Sequence, residues 1–125
     1  MDRLVITPAV VERDAVLALA GELDMGSEEL LAEAVAELID AGYRRVVLDC
    51  AGVAFCDSRG FNALLAARQD AQDAGGALAL AAISKRLQCL LGLVGGEMIF
   101  NIAPTVEEAR LLLAESVINS EAEPA

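Results

Sequence analysis

The chain has 125 residues, of which 56% are hydrophobic and 3% aromatic, and its formal net charge at pH 7 is −11. This length predicts one domain with a core built mainly from aliphatic side chains. The acidic balance argues against direct nucleic-acid binding, because there is no basic surface to displace counterions from phosphates. No apolar run reaches the length of about 18 residues that a membrane span needs, so no membrane association is expected.

Three cysteines, Cys50, Cys56 and Cys89, are odd in number and lack CxxC spacing. The N-terminal residues lack the basic and apolar segments of a secretion signal, so reduced thiols in a cytoplasmic protein are expected. Cys50 falls on an apolar strand and is expected in the core, whereas Cys56 leaves a redox role open.

The N-terminal third predicts a β-hairpin followed by a helix. Residues 4–6 and 10–11 have β character, Arg13-Asp14 reads as a turn, and residues 15–20 suit a buried strand. A loop is predicted over residues 21–26.

Ser27 is predicted to cap the first helix, and Gly42 to end it. The apolar face of this helix, at helical spacing, comprises Leu31, Ala34, Val35, Leu38 and Ile39.

The middle of the chain predicts a strand, a helix and a second strand. The strand over residues 46–48 leads through Gly52 and Val53 into a serine motif. A helix is predicted from Phe61 to Ala74, ended by Gly75-Gly76, and a strand over residues 77–83.

The last third predicts a helix from Ser84 to Gly95-Gly96, a strand over residues 98–102, and a final helix. Thr105 and Glu108 have the spacing of a capping box at the start of the final helix. The apolar face of that helix comprises Val106, Ala109, Leu112 and Leu113.

Strands that alternate with helices predict an α/β fold, with a sheet that is mostly parallel beyond the first hairpin. The expected architecture is a central mixed sheet of about four to five strands with about four helices. The domain is expected to span residues 3–116, and residues 117–125 are expected to form a disordered C-terminal tail.

The most informative motif is the segment 53–61, which contains Asp57-Ser58-Arg59-Gly60 and leads from an apolar strand into a helix. A serine there lies beside unpaired backbone N–H groups and the positive end of the helix dipole. Two roles remain open from the local residues: Ser58 caps the helix, or it accepts a regulatory phosphate.

Four segments in order, Gly21-Glu22-Leu23-Asp24, Asp57-Ser58-Arg59-Gly60, Gly75-Gly76 and Ala82-Ile83-Ser84, resemble the STAS-domain anti-sigma factor antagonists (anti-anti-sigma factors) of bacteria. The resemblance covers about residues 3–116 and implies a single STAS-like domain. In that family a partner kinase, which is itself the anti-sigma factor, phosphorylates the serine that corresponds to Ser58. This chain departs from the family pattern at Arg59, where Ser or Thr is usual, and at Phe61-Asn62, where Leu-Gly is frequent.

The resemblance implies a function in transcription regulation by partner switching. The unphosphorylated protein would bind an anti-sigma factor serine kinase and free a sigma factor; phosphorylation of Ser58 would switch it off, and a serine phosphatase would be a further partner. The implied partner-binding residues are Asp24, Asp57, Ser58, Arg59 and Gly60.

Each of these residues also has a simpler interpretation. Asp57 orients the hydroxyl or a partner group, or is a charge at the helix start; Asp24 lines the binding surface or is a solvated loop residue. Gly60 permits a close backbone approach or eases the turn. Arg59 pairs with the phosphate, changes which kinase recognises Ser58, or marks a paralogue with its own partner.

Residues for catalysis are sparse, so the chain is not expected to be an enzyme. It contains no histidine, and it has no glycine-rich phosphate loop or dinucleotide motif. Neither a metal nor a cofactor is expected. Glu22, Asp24 and Asp57 could cluster, but an acidic cluster alone does not define an active site.

Two alternatives stay open. One is a STAS module that serves as a non-switching interaction subunit of a transporter or stress-signalling assembly, with Ser58 acting only as a cap. The other is a nucleotide-binding sensor, against which the lack of a phosphate loop counts.

Overall fold

The computed structural model describes residues 3–93 and 95–122, which form an α/β domain. The strands are β1 (Val5–Val11), β2 (Asp14–Leu23), β3 (Arg45–Cys56), β4 (Ala77–Ala81) and β5 (Asn101–Ala103). The α-helices are α1 (Ser27–Asp40), α2 (Ser58–Asp73), α3 (Lys85–Leu93) and α4 (Val106–Ala122), and a 3-10 turn spans Gly96–Met98.

The five strands form one mixed sheet in the order β1-β2-β3-β4-β5. β1 pairs antiparallel with β2, and every later pairing is parallel. The predicted α/β fold, initial hairpin and mixed sheet are confirmed. Because β2 and β3 run parallel, their carboxyl ends meet at the same edge of the sheet.

Helices cover the sheet on both faces, as a parallel sheet requires. On one face, α1, α2 and α3 bury large aliphatic side chains such as Leu31, Leu64 and Leu91 against the strands. On the other face, Leu113 and Ala109 of α4 pack on Val47 and its neighbours. The core is mainly aliphatic, as the composition predicts.

Several predicted boundaries were wrong. The hairpin turn lies at residues 12–13, one residue earlier than expected, and β2 continues to Leu23, so the following loop contains only residues 24–26. β3 likewise continues to Cys56 because its pairing with β2 extends to the end of both strands. α2 starts at Ser58 rather than Phe61.

Near the C-terminus, the predicted strand over residues 98–102 is reduced to Asn101–Ala103, because Gly96–Met98 turns as a 3-10 helix and only three residues pair with β4. Leu112 was predicted on the buried face of α4 but is exposed, and Arg110 is buried instead.

The final helix is described as far as Ala122, and residues 123–125 of the expected tail lie outside the described residues. The domain limit near residue 116 therefore stays a prediction. Among the helices described, none combines the length and the apolar character that crossing a bilayer requires.

Candidate functional site

The first turn of α2 is organised by Asp57, which occupies the N-cap position. One of its carboxylate oxygens, Oδ1, accepts hydrogen bonds from the N–H of Arg59 at 3.0 Å and of Gly60 at 2.9 Å. An acidic N-cap satisfies free N–H groups and favours the positive end of the helix dipole. Capping is therefore the role of Asp57, and the capping role that the sequence left open for Ser58 as one of two alternatives is wrong.

Ser58 is the first residue of α2 and is exposed. Its hydroxyl makes no hydrogen bond to any residue in the described part of the chain, although its neighbour Asp57 makes two. The hydroxyl is therefore free to face a partner without losing an internal contact.

The start of α2 lies directly on the end of β2. The N–H of Asp57 donates to the carbonyl oxygen of Leu23 at 3.2 Å. A Cβ added at Gly60 would collide with that same carbonyl group. Gly60 thus permits a close backbone approach, as one of its two interpretations proposed, and it brings the Ser58 turn against the loop that follows β2.

Ser27 shapes that loop. Its hydroxyl donates to the carbonyl of Glu22 at 3.0 Å and accepts from the N–H of Asp24 at 2.9 Å. Ser27 is buried, and Gly26 occupies the N-cap position of α1 without a side-chain bond. The predicted capping role of Ser27 was wrong because its hydroxyl is already bonded within the loop.

Asp24 adds a second bond inside the same loop. Its Oδ1 accepts the N–H of Gly26 at 3.2 Å. The carboxylate is half-buried, so it is held in place while part of it remains open to solvent.

An open groove of about 470 Å³ lies between the β2–α1 loop and the β3–α2 junction. It is lined by Glu22, Asp24, Met25, Gly26, Phe55 and Asp57. A neighbouring cavity of about 430 Å³ shares three of these residues. We call the 470 Å³ space the switch groove.

The switch groove combines carboxylates with exposed apolar side chains. Glu22, Asp24 and Asp57, which the sequence left as a possible cluster, all line this groove. Met25 is 68% and Phe55 42% exposed, and neither residue was predicted from the sequence to belong to the site. The available signal for Met25 was its position in a short loop, where an apolar side chain has no core to enter.

The remaining predicted residues lie on the turn beside the groove. Ser58 follows Asp57 directly, and Gly60 closes the turn against β2. Arg59 is exposed on this turn and does not line the groove.

The cysteines near the site are poorly suited to thiol chemistry. Burial, followed by the neighbouring charge of Asp57, raises the pKa of Cys56 to about 11. The thiol therefore stays protonated near neutral pH, which disfavours a redox role. Cys50 is fully buried, as expected for a core residue.

The described residues contain no group of three His, Cys, Asp or Glu side chains arranged to hold a metal ion. The carboxylates of the switch groove line an open space of about 470 Å³. Their open arrangement suits contact with another macromolecule more than enclosure of a small substrate.

Comparison with known proteins identifies the family. Residues 6–109 match the STAS domain, so the chain belongs to the STAS domain family. The fold is similar to that of an anti-sigma factor antagonist from Mycobacterium paratuberculosis, with a TM-score of 0.78, 20% identity, and coverage of 90% of this chain and 95% of that one.

Two further structures share the fold. The phosphorylated form of the Bacillus cell fate determinant SpoIIAA has a TM-score of 0.64 and 23% identity, over 84% of this chain and 96% of that one. A sulfate transporter family protein from Wolinella succinogenes has a TM-score of 0.72 and 20% identity, over 91% of this chain and 93% of that one. At these identities the similarity defines the fold alone.

Proposed function

We propose that this chain is a cytoplasmic anti-sigma factor antagonist. The unphosphorylated protein binds an anti-sigma factor that is a serine kinase and thereby frees a sigma factor for transcription. Phosphorylation of Ser58 ends this binding. A serine phosphatase removes the phosphate and restores the binding. The observation that carries the proposal is the exposed, unbonded Ser58 hydroxyl next to the switch groove. The fold similarity to an antagonist and to the phosphorylated SpoIIAA supports it.

The switch groove has the features of a protein-docking surface. Met25 and Phe55 offer exposed apolar area for anchoring contacts, and aromatic residues and Met are enriched in protein interfaces. Glu22, Asp24 and Asp57 surround them with negative charge. This charge favours a partner with basic residues opposite the groove and accelerates their encounter.

A phosphate on Ser58 acts against docking at this surface. It adds a charge of about −1.5 to −2 next to the carboxylate of Asp57 and close to the acidic groove. Its strong hydration must be removed when a partner covers it, at a cost that the partner offsets only by placing cations there. The switch therefore changes binding affinity without unfolding the domain.

The other turn residues have distinct roles in this proposal. Asp57 fixes the turn through its two N–H bonds, and Gly60 holds the turn on β2. Asp24 borders the partner contact. Arg59, exposed beside Ser58, contacts the kinase or the phosphate and contributes to partner choice.

The test is capture of binding proteins from a lysate of the native host, followed by affinity measurement with the purified partner. The baits are the wild type, Ser58→Ala, Ser58→Asp and Thr105→Asp. Thr105 is the matched control, because its hydroxyl caps α4 by accepting the N–H of Glu108 at 3.1 Å, and aspartate preserves a cap while adding the same charge elsewhere.

We expect the wild type, Ser58→Ala and Thr105→Asp to bind an ATP-dependent anti-sigma kinase with similar affinity. Ser58→Asp should bind about a hundredfold more weakly, which corresponds to ~3 kcal/mol. Only the forms that retain Ser58 should be phosphorylated. Equal affinity of all four proteins would contradict the switch.

The fold similarity to a sulfate transporter family protein supports a second candidate function, a non-switching interaction subunit of a transporter or stress-signalling assembly. In that case, the wild type and Ser58→Asp would bind the same transporter or scaffold protein equally well. The same set of variants therefore separates the two functions.

A further inference from the structure

We infer that Gly96 and Phe100, which lie far from Ser58 in the sequence, position the Ser58 turn. We call these two residues the brace. They belong to the connection between α3 and β5, and they contact α2 through Phe61. This inference depends on the proposed function only for its consequence in phosphorylation, because the positioning itself can be measured on the free protein.

The backbone of the α2 turn sets the position of the Ser58 Cβ, from which the hydroxyl projects. This backbone is the turn formed by Asp57 to Phe61, which closes when the N–H of Phe61 donates to the carbonyl of Asp57 at 2.9 Å. Whatever fixes Phe61 therefore also fixes the direction in which the Ser58 side chain leaves the turn.

The brace fixes the Phe61 ring. Phe61 and Phe100 meet edge to face, with ring centroids 6.0 Å apart and an interplanar angle of 75°. This geometry is favourable for aromatic pairs. Phe61 and Phe100 are both buried, and the brace residues are joined to each other because the N–H of Phe100 donates to the carbonyl of Gly96 at 3.0 Å.

Gly96 leaves no space for a larger side chain. A Cβ at this position would lie 3.2 Å from the Phe61 ring and 2.8 Å from a methyl group of Leu91. The second distance is too short for ordinary contact, so an alanine would push Leu91 or Phe61 out of place. The turn is thus held from two sides, by Leu23 of β2 against Gly60 and by the brace against Phe61.

The test compares Gly96→Ala and Phe100→Leu with Leu113→Val. Leu113 is fully buried in the cluster on the opposite face of the sheet, so its truncation destabilises the domain without touching α2. Two-dimensional NMR spectra and amide hydrogen exchange are recorded for each protein, and exchange is corrected for the free energy of unfolding measured with urea. Two brace variants are used so that the failure of one to fold leaves the other.

In both brace variants we expect the amide signals of Arg59 and Gly60 to shift and the exchange of the Gly60 N–H to rise about tenfold or more. In Leu113→Val the exchange rates of these two amides should change only as far as the change in the free energy of unfolding accounts for. Unchanged Arg59 and Gly60 amides in a folded brace variant would overturn the inference. These readouts need no partner, so they stand even if the anti-sigma function is disproved.

A kinetic measurement adds the consequence for phosphorylation. With the kinase recovered in the capture experiment, a displaced hydroxyl should lower kcat while KM changes little, because the docking residues of the switch groove are untouched. A rise in KM with kcat unchanged would contradict positioning of Ser58 by the brace.

Discussion

Asp14 and Asp24 lie at opposite ends of the same strand region and have opposite environments. Asp14, at the start of β2, is 2% exposed and is paired with two guanidinium groups, those of Arg45 and Arg110. Asp24, just after β2, is half-buried and lines an open groove with Glu22 and Asp57.

The two ends differ in what satisfies their charges. The Nε of Arg110 donates to Asp14 at 2.7 Å and its Nη1 to Glu107 at 2.9 Å, so the buried carboxylate of Asp14 is paired within the chain. The hydrogen bond to Asp14 is the main reason that the pKa of Arg110 is raised. Burial lowers this pKa, whereas the hydrogen bond to Glu107 and its charge raise it further. At the Ser58 end, the carboxylates line an open groove. Carboxylates are thus paired with guanidinium groups at one end and open to solvent at the other.

The strongest test of this division is Asp14→Ala. Removing the carboxylate leaves the buried Arg110 with an incomplete set of partners, so we expect a loss of about 3–5 kcal/mol in the free energy of unfolding. The control, Asp24→Ala, removes one loop hydrogen bond and should cost less than about 1 kcal/mol. Urea denaturation of both variants measures the difference, and equal losses would refute the division.

Gly60→Ala tests whether the close approach of Gly60 to Leu23 contributes to stability at the Ser58 end. The new Cβ would collide with the backbone carbonyl group of Leu23. Unlike the end of a flexible side chain, this backbone group cannot move aside. We expect a loss of about 2 kcal/mol from this overpacking. Gly26→Ala is the matched control in the adjacent loop, because the nearest atom to its added Cβ is 3.9 Å away. Thermal or urea unfolding in which both variants lose equally would show that the close approach is unimportant.

The pH dependence of stability tests the interior of the sheet between the two ends, where Cys50 lies. Burial, followed by the charges of Asp49 and Cys56, raises the pKa of Cys50 from 9.0 to about 12. Below pH 9 the thiol is protonated in both states, so its contribution is intact. Above that pH the Cys50 thiol loses its proton in the unfolded chain but keeps it in the folded one. The free energy of unfolding therefore falls as the pH rises, until the folded pKa of about 12 is passed.

Between pH 8 and 10 this group should lower the free energy of unfolding by about 1.4 kcal/mol. Urea titrations at pH 8, 9 and 10 measure the fall in the wild type and in Cys50→Ala. The variant retains the other titrating groups, so only the Cys50 contribution should disappear. Identical pH slopes in the two proteins would show that Cys50 does not titrate in this way.

The smallest expected effect is that of Asp57→Ala. Loss of the N-cap bonds to Arg59 and Gly60 should cost about 1 kcal/mol, whereas Asp57→Ser should retain most of the stability. Faster exchange of the Gly60 amide in the alanine variant would locate the loss at the turn. An alanine variant as stable as the serine variant would remove Asp57 from the capping role.

The sequence predicted those features that depend on short-range patterns. Alternating strands and helices indicated the mixed sheet, and Gly42 and Thr105 marked helix ends correctly because their effects are local. The sequence raised only the possibility that Asp24 and Asp57 cluster, and in the structure both line the switch groove.

What the sequence could not provide depends on contacts between distant segments. Ser27 had a good capping residue type, but its hydroxyl bonds to the loop before it. Likewise, nothing local to Ser58 indicates that Phe100 contacts the ring of Phe61, since the two residues lie in separate elements and meet only in the folded core.

The hydrogen bonds of the α2 turn also decide which positions can vary during evolution. Arg59 contributes only its backbone N–H to the bond with Asp57, and every amino acid except proline has that group. At position 60, by contrast, any residue other than glycine adds a Cβ. Position 59 can therefore accept many different side chains while the turn keeps its shape, and the arginine found there is compatible with the capped turn.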